Sequence, residues 1–243
     1  MRTAALAFTL LLASAASAGE VFIPAVYRGP GAGQSVWRTE ITVANITTSP
    51  VIEVVDVTVT LHRPDGTTSS FSTPFAPQET LTIPDALAQW FDVVEGGGLV
   101  RVSWDSEVAR ITARARIYNV TENGEYGQGV PGVAVDRLVS DYFLTGLSGV
   151  DGNRTNIGIS NPHEQNVMFW ITLYDTSGLA RGAFASVVPP RSYRQFDDIF
   201  SHFQAGPLNA ATIRVTGADG TIYPWASIVR NDTGDPTFVT PAP

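Results

Sequence analysis

The chain of 243 residues contains no cysteine and no lysine; all 15 of its basic residues are arginine. Without cysteine there is no disulfide framework, thiolate zinc site, iron–sulfur cluster or cysteine nucleophile. Without lysine there is no Schiff base, P-loop lysine or Ser–Lys dyad. Charge is sparse, at 16 % of residues against the quarter usual in soluble domains. The 15 Arg face 23 acids, a net −8, so cations to neutralise nucleic-acid phosphates are lacking and no such partner is expected. The hydrophobic share of 44 % is ordinary, which places the chain among core-forming rather than disordered sequences.

Long apolar runs are also scarce, and the one present lies at the N-terminus. Arg2, the apolar stretch from Ala4 to Ala13 and the A-x-A end Ala16-Ser17-Ala18 have the three parts of a secretory signal peptide over residues 1–18. The stretch is too short to span a bilayer, which takes about 20 apolar residues. Cleavage after Ala18 would start the mature chain at Gly19, and with no Cys following, no lipid anchor is expected. Losing Arg2 leaves 14 Arg against 23 acids, or −9. The expectation is a secreted or periplasmic protein with no membrane span.

What the sequence does have is an internal repeat. Trp37-Arg38-Thr39 with Asn45 aligns with Asn153-Arg154-Thr155 and Asn161; Val57 to Leu61 with Phe169 to Leu173; Pro77 with Pro190; Arg101 with Arg214; Asn119 with Asn231. The order is kept throughout at spacings of 112 to 116 residues. The two starts match more weakly, Phe22-Ile23 against Phe143-Leu144. A period this long marks a domain rather than a solenoid unit. The expected organisation is a first domain over 19–131, a linker over 132–140 and a second domain over 141–243.

Each copy reads mostly as strand. Asp56 to Leu61 alternates polar and apolar with β-branched residues, and Pro64-Asp65-Gly66 and Thr176-Ser177-Gly178 supply turns. Two segments break the pattern with helical spacing, Pro84 to Val94 and Asp197 to Gln204. Pro84 suits an opening helical turn, and Asp197-Asp198 would place negative charge in another. Trp90 and Trp170 fall at core-facing positions in this reading. The predicted fold is all-β: two tandem immunoglobulin-like antiparallel β-sandwiches, each with one short helix. Long helices are missing, which excludes architectures built from alternating strands and helices.

Ile23-Pro24-Ala25-Val26, Trp37-Arg38-Thr39, Tyr118-Asn119, Tyr126-Gly127-Gln128, Val130-Pro131 and the segment Asn231 to Pro236 together form a pattern. It resembles that of uncharacterised bacterial secreted proteins with tandem immunoglobulin-like repeats. The resemblance covers nearly all of the mature chain and implies a fold and a location outside the cytoplasm, but no activity.

Candidate sites are few. His62, His163 and His202 stand in no metal-binding spacing, and Gly146-Leu147-Ser148-Gly149 is not a nucleophile elbow. No catalytic residue, metal ligand or cofactor is expected. The Asp- and Asn-rich loops at Asp151, Asp219 and Asn231 to Asp235 offer oxygen donors that suit calcium but also ordinary turns. Four N-x-[ST] sequons, at Asn45, Asn119, Asn153 and Asn231, are read as unmodified. The repeated pairs Arg38 and Arg154, Asn45 and Asn161, Arg101 and Arg214, Asn119 and Asn231 should serve the fold, since two copies seldom share one active site. The paired Arg are expected on strand-end carbonyls or on carboxylates such as Asp85 and Asp198. Aromatics without a repeat counterpart, Trp37, Trp104 and Tyr126, are the candidate sugar platforms. The leading functional expectation is a non-catalytic structural or protein–protein interaction module of the bacterial envelope, through a protein partner. The alternative is a carbohydrate-binding module presenting aromatics on one face to a glycan.

Overall fold

The computed structural model describes residues 19–31, 36–48, 53–121 and 124–243. The leader predicted over 1–18 lies outside the described residues. The first part of the chain runs β1 (Gly19–Pro30), β2 (Val36–Asn45), β3 (Val55–His62), β4 (Thr68–Phe75), β5 (Thr80–Ile83), α1 (Ala86–Phe91), β6 (Gly96–Trp104), β7 (Ile111–Thr121) and β8 (Gly124–Pro131). Then follow β9 (Val133–Ala134), β10 (Asp141–Leu147), β11 (Asn153–Asn161), β12 (Val167–Tyr174), β13 (Ala180–Val188) and β14 (Ser192–Phe196). The chain closes with α2 (Ile199–His202), β15 (Ala211–Gly217), β16 (Tyr223–Arg230) and β17 (Pro236–Val239). Over the described residues the fold is all-β, with antiparallel sheets layered face to face and two short α-helices.

In the first sandwich the period-two pattern sets the layers. Val57, Val59 and Leu61 of β3 enter the core with Val100 and Val102 of β6, while Thr58, Thr60 and His62 point away. The sheet order is β4-β3-β6-β1-β2-β7-β8, with β5 on β2 and β9 on β1. Strand β1 belongs to both layers: Gly19 to Arg28 pairs with β6, then Gly29-Pro30 pairs with β2. A register shift between Ile23 and Val26 accompanies the crossing. In the second sandwich the layers are separate sheets, β10-β15-β12-β13 and β14-β11-β16-β17, closing over Phe169, Ile171, Ile213 and Ile157.

The turn after β3 and the turn after β12 are built alike. Asp65 Oδ1 accepts from the Thr67 amide and hydroxyl, and Asp175 Oδ1 accepts from the Ser177 amide and hydroxyl. Gly66 at φ 84° and Gly178 at φ 82° supply the left-handed residue that each turn needs. The repeated Asn45 and Asn161 are matched as well. Each takes the amide two residues on and donates from Nδ2 to the last carbonyl of a neighbouring strand, that of Phe75 or Val188.

Three expectations need correction. The helices are shorter than the spacing predicts, and Pro84 lies ahead of α1 rather than in its first turn. Asp197 and Asp198 likewise precede α2, whose first turn holds no acid. Asp85 and Asp198 occupy the N-cap positions in the left-handed region, at φ 51° and 43°, and neither side chain caps its helix. Competing partners take them: Arg28 holds Asp85 at 2.9 Å, and Asn156 Oδ1 accepts the Asp198 amide while the Asp198 carboxylate takes the Ser201 hydroxyl. Trp170, read as core-facing, is 42 % exposed. It alternates with buried Phe169 and Ile171, so strand parity turns it outward.

Residues 132–140 are ordered along the junction of the sandwiches. Val133-Ala134 pair with Phe22-Val21, a short 3-10 turn covers Val135–Arg137, and Val139 bridges to Ile222. A third apolar cluster sits there, formed by Phe22, Ala25, Leu99, Leu138, Tyr223 and Trp225. Ser160 ties its edge, donating to the Pro24 carbonyl at 2.8 Å and accepting from the Trp225 indole at 3.0 Å. Ser227 donates to Gln128 Oε1 across the same junction at 2.8 Å.

Candidate functional site

The outward face of the β1-β6-β3 layer carries a charged triad that recurs in the second sandwich. Register places Phe22 opposite Arg101 and Thr60 opposite Arg101, with Glu20 and His62 two residues along each neighbouring strand. In the second sandwich Phe143 and Thr172 stand opposite Arg214, flanked by Asp141 and Tyr174. Thus Glu20, Arg101, His62 and Phe22 correspond to Asp141, Arg214, Tyr174 and Phe143. Arg101 bonds Glu20 through Nε, and Arg214 bonds Asp141 through two nitrogens at 2.9 and 2.7 Å.

The two copies of this face differ in what lies over them. The first is covered by the second sandwich: Tyr223 packs edge-on to Phe22 at 6.0 Å, and Arg191 reaches Glu20 at 3.7 Å while bonding Glu164 at 2.6 Å. Burial, with Arg191 and Arg101 close by, drops the His62 imidazole to a pKa of about 4 against the opposing pull of Glu164 and Glu20. His62 Nε2 is buried without a hydrogen-bond partner. The second copy is open. Phe143 is 37 % exposed beneath the Arg214 guanidinium, and a recess of about 350 Å³ beside it is lined by Phe143, Tyr174, Asp175 and Thr212. The hydrogen bond from Arg214 holds the Asp141 carboxyl below the usual carboxylate range.

The rest of the face diverges in chemistry. Beside the covered triad, hydroxyls form a ladder, Thr58 to Ser72 at 2.9 Å and Thr60 to Ser70 at 3.0 Å, with Asp56 opposite Pro74. The equivalent pairs beside the open triad are Trp170 with Ala185, Thr172 with Ala183, and Met168 with Val187. Met168 and Val187 are 38 % and 40 % exposed. Contiguous large apolar side chains on an open sheet face mark an interaction surface more often than singly scattered ones do.

A second concavity opens between the sandwiches on the other side of the junction, with a volume of about 530 Å³. Tyr27 and Trp37 line it from the first sandwich; Arg154, Asn156, Tyr193, Gln195 and Asp197 line it from the second. Gln195 donates to Asp197 at 2.6 Å, and Arg154 is engaged by Asn231 Oδ1. Burial pushes the Tyr193 phenol up to about 12, and the phenol of Tyr27 is also raised, by burial and then by Glu95. Both remain protonated donors at neutral pH.

The three candidate platforms do not converge on one surface. Trp37 and Tyr126 flank Asn119 in one row across β2, β7 and β8 on the inward side, and Trp37 alone of the three lines the cleft. Trp104 lies in the other layer, its ring over Gly19. Of the repeated residues, Arg38 stands 3.8 Å from Asp85 in the shadow of the closer Arg28, and Arg154 engages Asn231 rather than Asp198. Asn119 is buried against Gly234 of the second sandwich. His163 contacts the Thr221 hydroxyl at 2.8 Å, and His202 is packed among Phe184, Phe196 and Phe203. Neither lines the cleft between the sandwiches, nor does His62. Among the described residues no three His, Asp or Glu side chains gather as a metal site would require. The Asp219 carboxylate takes the Met168 amide, and Asp232 pairs with Arg230.

The open face escaped sequence reading because Glu20 and Asp141 are separated by more than the repeat spacing. The weak match of Phe22 to Phe143, extended two residues back, would have found them. Tyr27 and Tyr193 gave no signal, since only the packing of the sandwiches brings them together.

No protein-family model matches the chain, and no curated protein matches it. Among solved structures it is similar at low scores to an exo-β-D-glucosaminidase, CsxA (15 % identity, TM-score 0.17), and to the Amycolatopsis orientalis exo-chitosanase CsxA (14 % identity, TM-score 0.15). The matches cover 91 % of this chain but only 26 % of each of those chains. Likeness at this level carries no argument about fold or activity.

Proposed function

We propose that the protein is a non-catalytic interaction module of the bacterial envelope, working outside the cytoplasm without a cofactor, and that its partner is a protein docking on the open face of the second sandwich. One observation carries this reading: the face that the first sandwich buries under the second recurs on the second with none of the described residues packed over it. Phe22, Glu20 and Arg101 receive Tyr223 and Arg191; Phe143, Asp141 and Arg214 present the same groups to solvent. The partner fitting this pattern is another β-sandwich domain, presenting an aromatic for Phe143 and an arginine for Asp141. Met168, Trp170 and Val187 extend the apolar contact. The edge strand β13 adds backbone groups for strand pairing, and it lacks the proline that Pro74 places on the matching edge β4.

The test is capture from envelope extracts by the tagged mature chain, with cross-linking to map the contact. The expected result is a protein with a β-sandwich domain, cross-linked to β12, β13 or β15, whose capture is lost with Phe143→Ser and Trp170→Ser combined. A captured partner that the double variant retains, or one cross-linked only to the first sandwich, would overturn the reading.

A further inference from the structure

The cleft between the sandwiches is chemically unlike the docking face, and the geometry points to a separate site there for a neutral saccharide. Its volume of about 530 Å³ lies inside the range of about 300–1,000 Å³ typical of small-molecule sites. Four aromatic side chains line it, Trp37 and Tyr27 from one wall and Tyr193 and Trp225 from the other. A sugar ring offers such rings its apolar C–H faces and keeps its hydroxyls for planar polar groups at the rim. Gln195 and Asp197 are such groups, while Asn156, buried with its Oδ1 on the Asp198 amide, forms part of the wall. Gln195 and Asp197 are exposed and already bonded to each other, an acceptor–donor pair of the kind that grips adjacent hydroxyls.

Charge narrows the ligand class. Among the described residues the ionised groups lining the cleft are one cation, Arg154, and one anion, Asp197, so the lining carries no net charge. A lining of zero net charge gives neither an anionic nor a cationic ligand a net electrostatic attraction. A neutral ring with an apolar face and many hydroxyls matches what remains. The cleft exists only while the sandwiches stay docked, because each contributes one wall. Ligand binding therefore stabilises the junction by mass action.

The experiment uses the full mature chain and a panel of neutral trisaccharides, cellotriose, xylotriose, mannotriose and tri-N-acetylchitotriose, at millimolar concentration in saturation-transfer-difference NMR. A digalacturonate and trialanine serve as the anionic and peptide probes. At least one neutral sugar is expected to bind, with affinity falling about tenfold or more in Trp37→Ala and in Gln195→Ala. Trp37→Phe should restore most of it, and Trp170→Ala should leave it unchanged. Gln195 is solvent-exposed, so its variant keeps the inference falsifiable if Trp37→Ala fails to fold. The site is overturned if no neutral sugar binds, if binding survives Gln195→Ala undiminished, or if digalacturonate or trialanine binds more tightly than every neutral sugar.

Discussion

The two sandwiches place the same triad on the same sheet face, and what differs is the company it keeps. Around Glu20, Arg101 and His62 the face is walled in by Arg191, Glu164 and Tyr223, and the remainder is a ladder of hydroxyls that water can satisfy. Around Asp141, Arg214 and Tyr174 the triad is open and the remainder is Met168, Trp170 and Val187. Apolar substitution has thus accumulated where the face lacks a cover and not where it has one. A purely structural repeat would favour the reverse, since exposed apolar area brings no stability to the isolated chain and invites association.

That contrast can be broken or sharpened by measurement. The largest effect is expected in the cores. Phe169 is fully buried at the position that Val57 holds in the first sandwich, so Phe169→Ala should cost about 3–5 kcal/mol and Val57→Ala about 2 kcal/mol in urea unfolding. Equal costs would mean that the two cores are not built on matched positions. Next comes the junction. Trp225 closes the third apolar cluster and lies so near Gly158 that a Cβ there would meet its ring at 2.0 Å. Trp225→Ala should cost about 3 kcal/mol and split a single unfolding transition into two. A transition that remains single and only shifts would refute the coupling of the sandwiches through this cluster.

A smaller effect concerns pH and belongs to the covered triad alone. His62 has a folded pKa of about 4, below its unfolded value near 6.5, so the unfolded chain binds the extra proton first as pH falls. Its contribution is complete above pH 6.5 and is lost as pH drops toward 4. After allowance for its partial exposure this is about 1–2 kcal/mol. His62→Tyr copies the residue of the open triad and should flatten the difference in urea midpoint between pH 7 and 4; an unchanged slope would contradict the burial of His62. The smallest effect separates the two ion pairs. Arg101→Met should lower stability by about 1 kcal/mol, because Glu20 loses its closest partner at a half-buried junction. Arg214→Met, on the open face, should shift it less and be masked by salt; a larger loss at Arg214 would invert the proposed roles.

The all-β architecture was legible from alternation in single segments such as Asp56 to Leu61, whose parity sets which side chains enter the core. Repetition singled out Asn45 and Asn161 as a pair serving the fold, and each accepts the amide two residues on. Parity was misjudged at Trp170, because size and hydrophobicity argued for burial while its neighbours Phe169 and Ile171 had already claimed the inside. The helix starts were misplaced because Asp85 and Asp198 look like dipole-stabilising residues in sequence, whereas Arg28 and Asn156, distant along the chain, draw them elsewhere. The cleft was illegible for a related reason. Trp37 stood out as unrepeated, but Tyr193 and Gln195 become its neighbours only through the docking of two separate sheets.

Strand β1 carries a consequence for how the chain is made. It is the first described strand and yet lies in the middle of its sheet, with Gly19 opposite Trp104 and Phe22 opposite Val133. Every one of its neighbours is synthesised later, and its closing partner β6 more than seventy residues later. Such pairings carry a high entropic cost of loop closure and fold slowly. Residues 19–28 of the nascent chain therefore stay unpaired until β6 has been made, so the first sandwich closes late in its own synthesis.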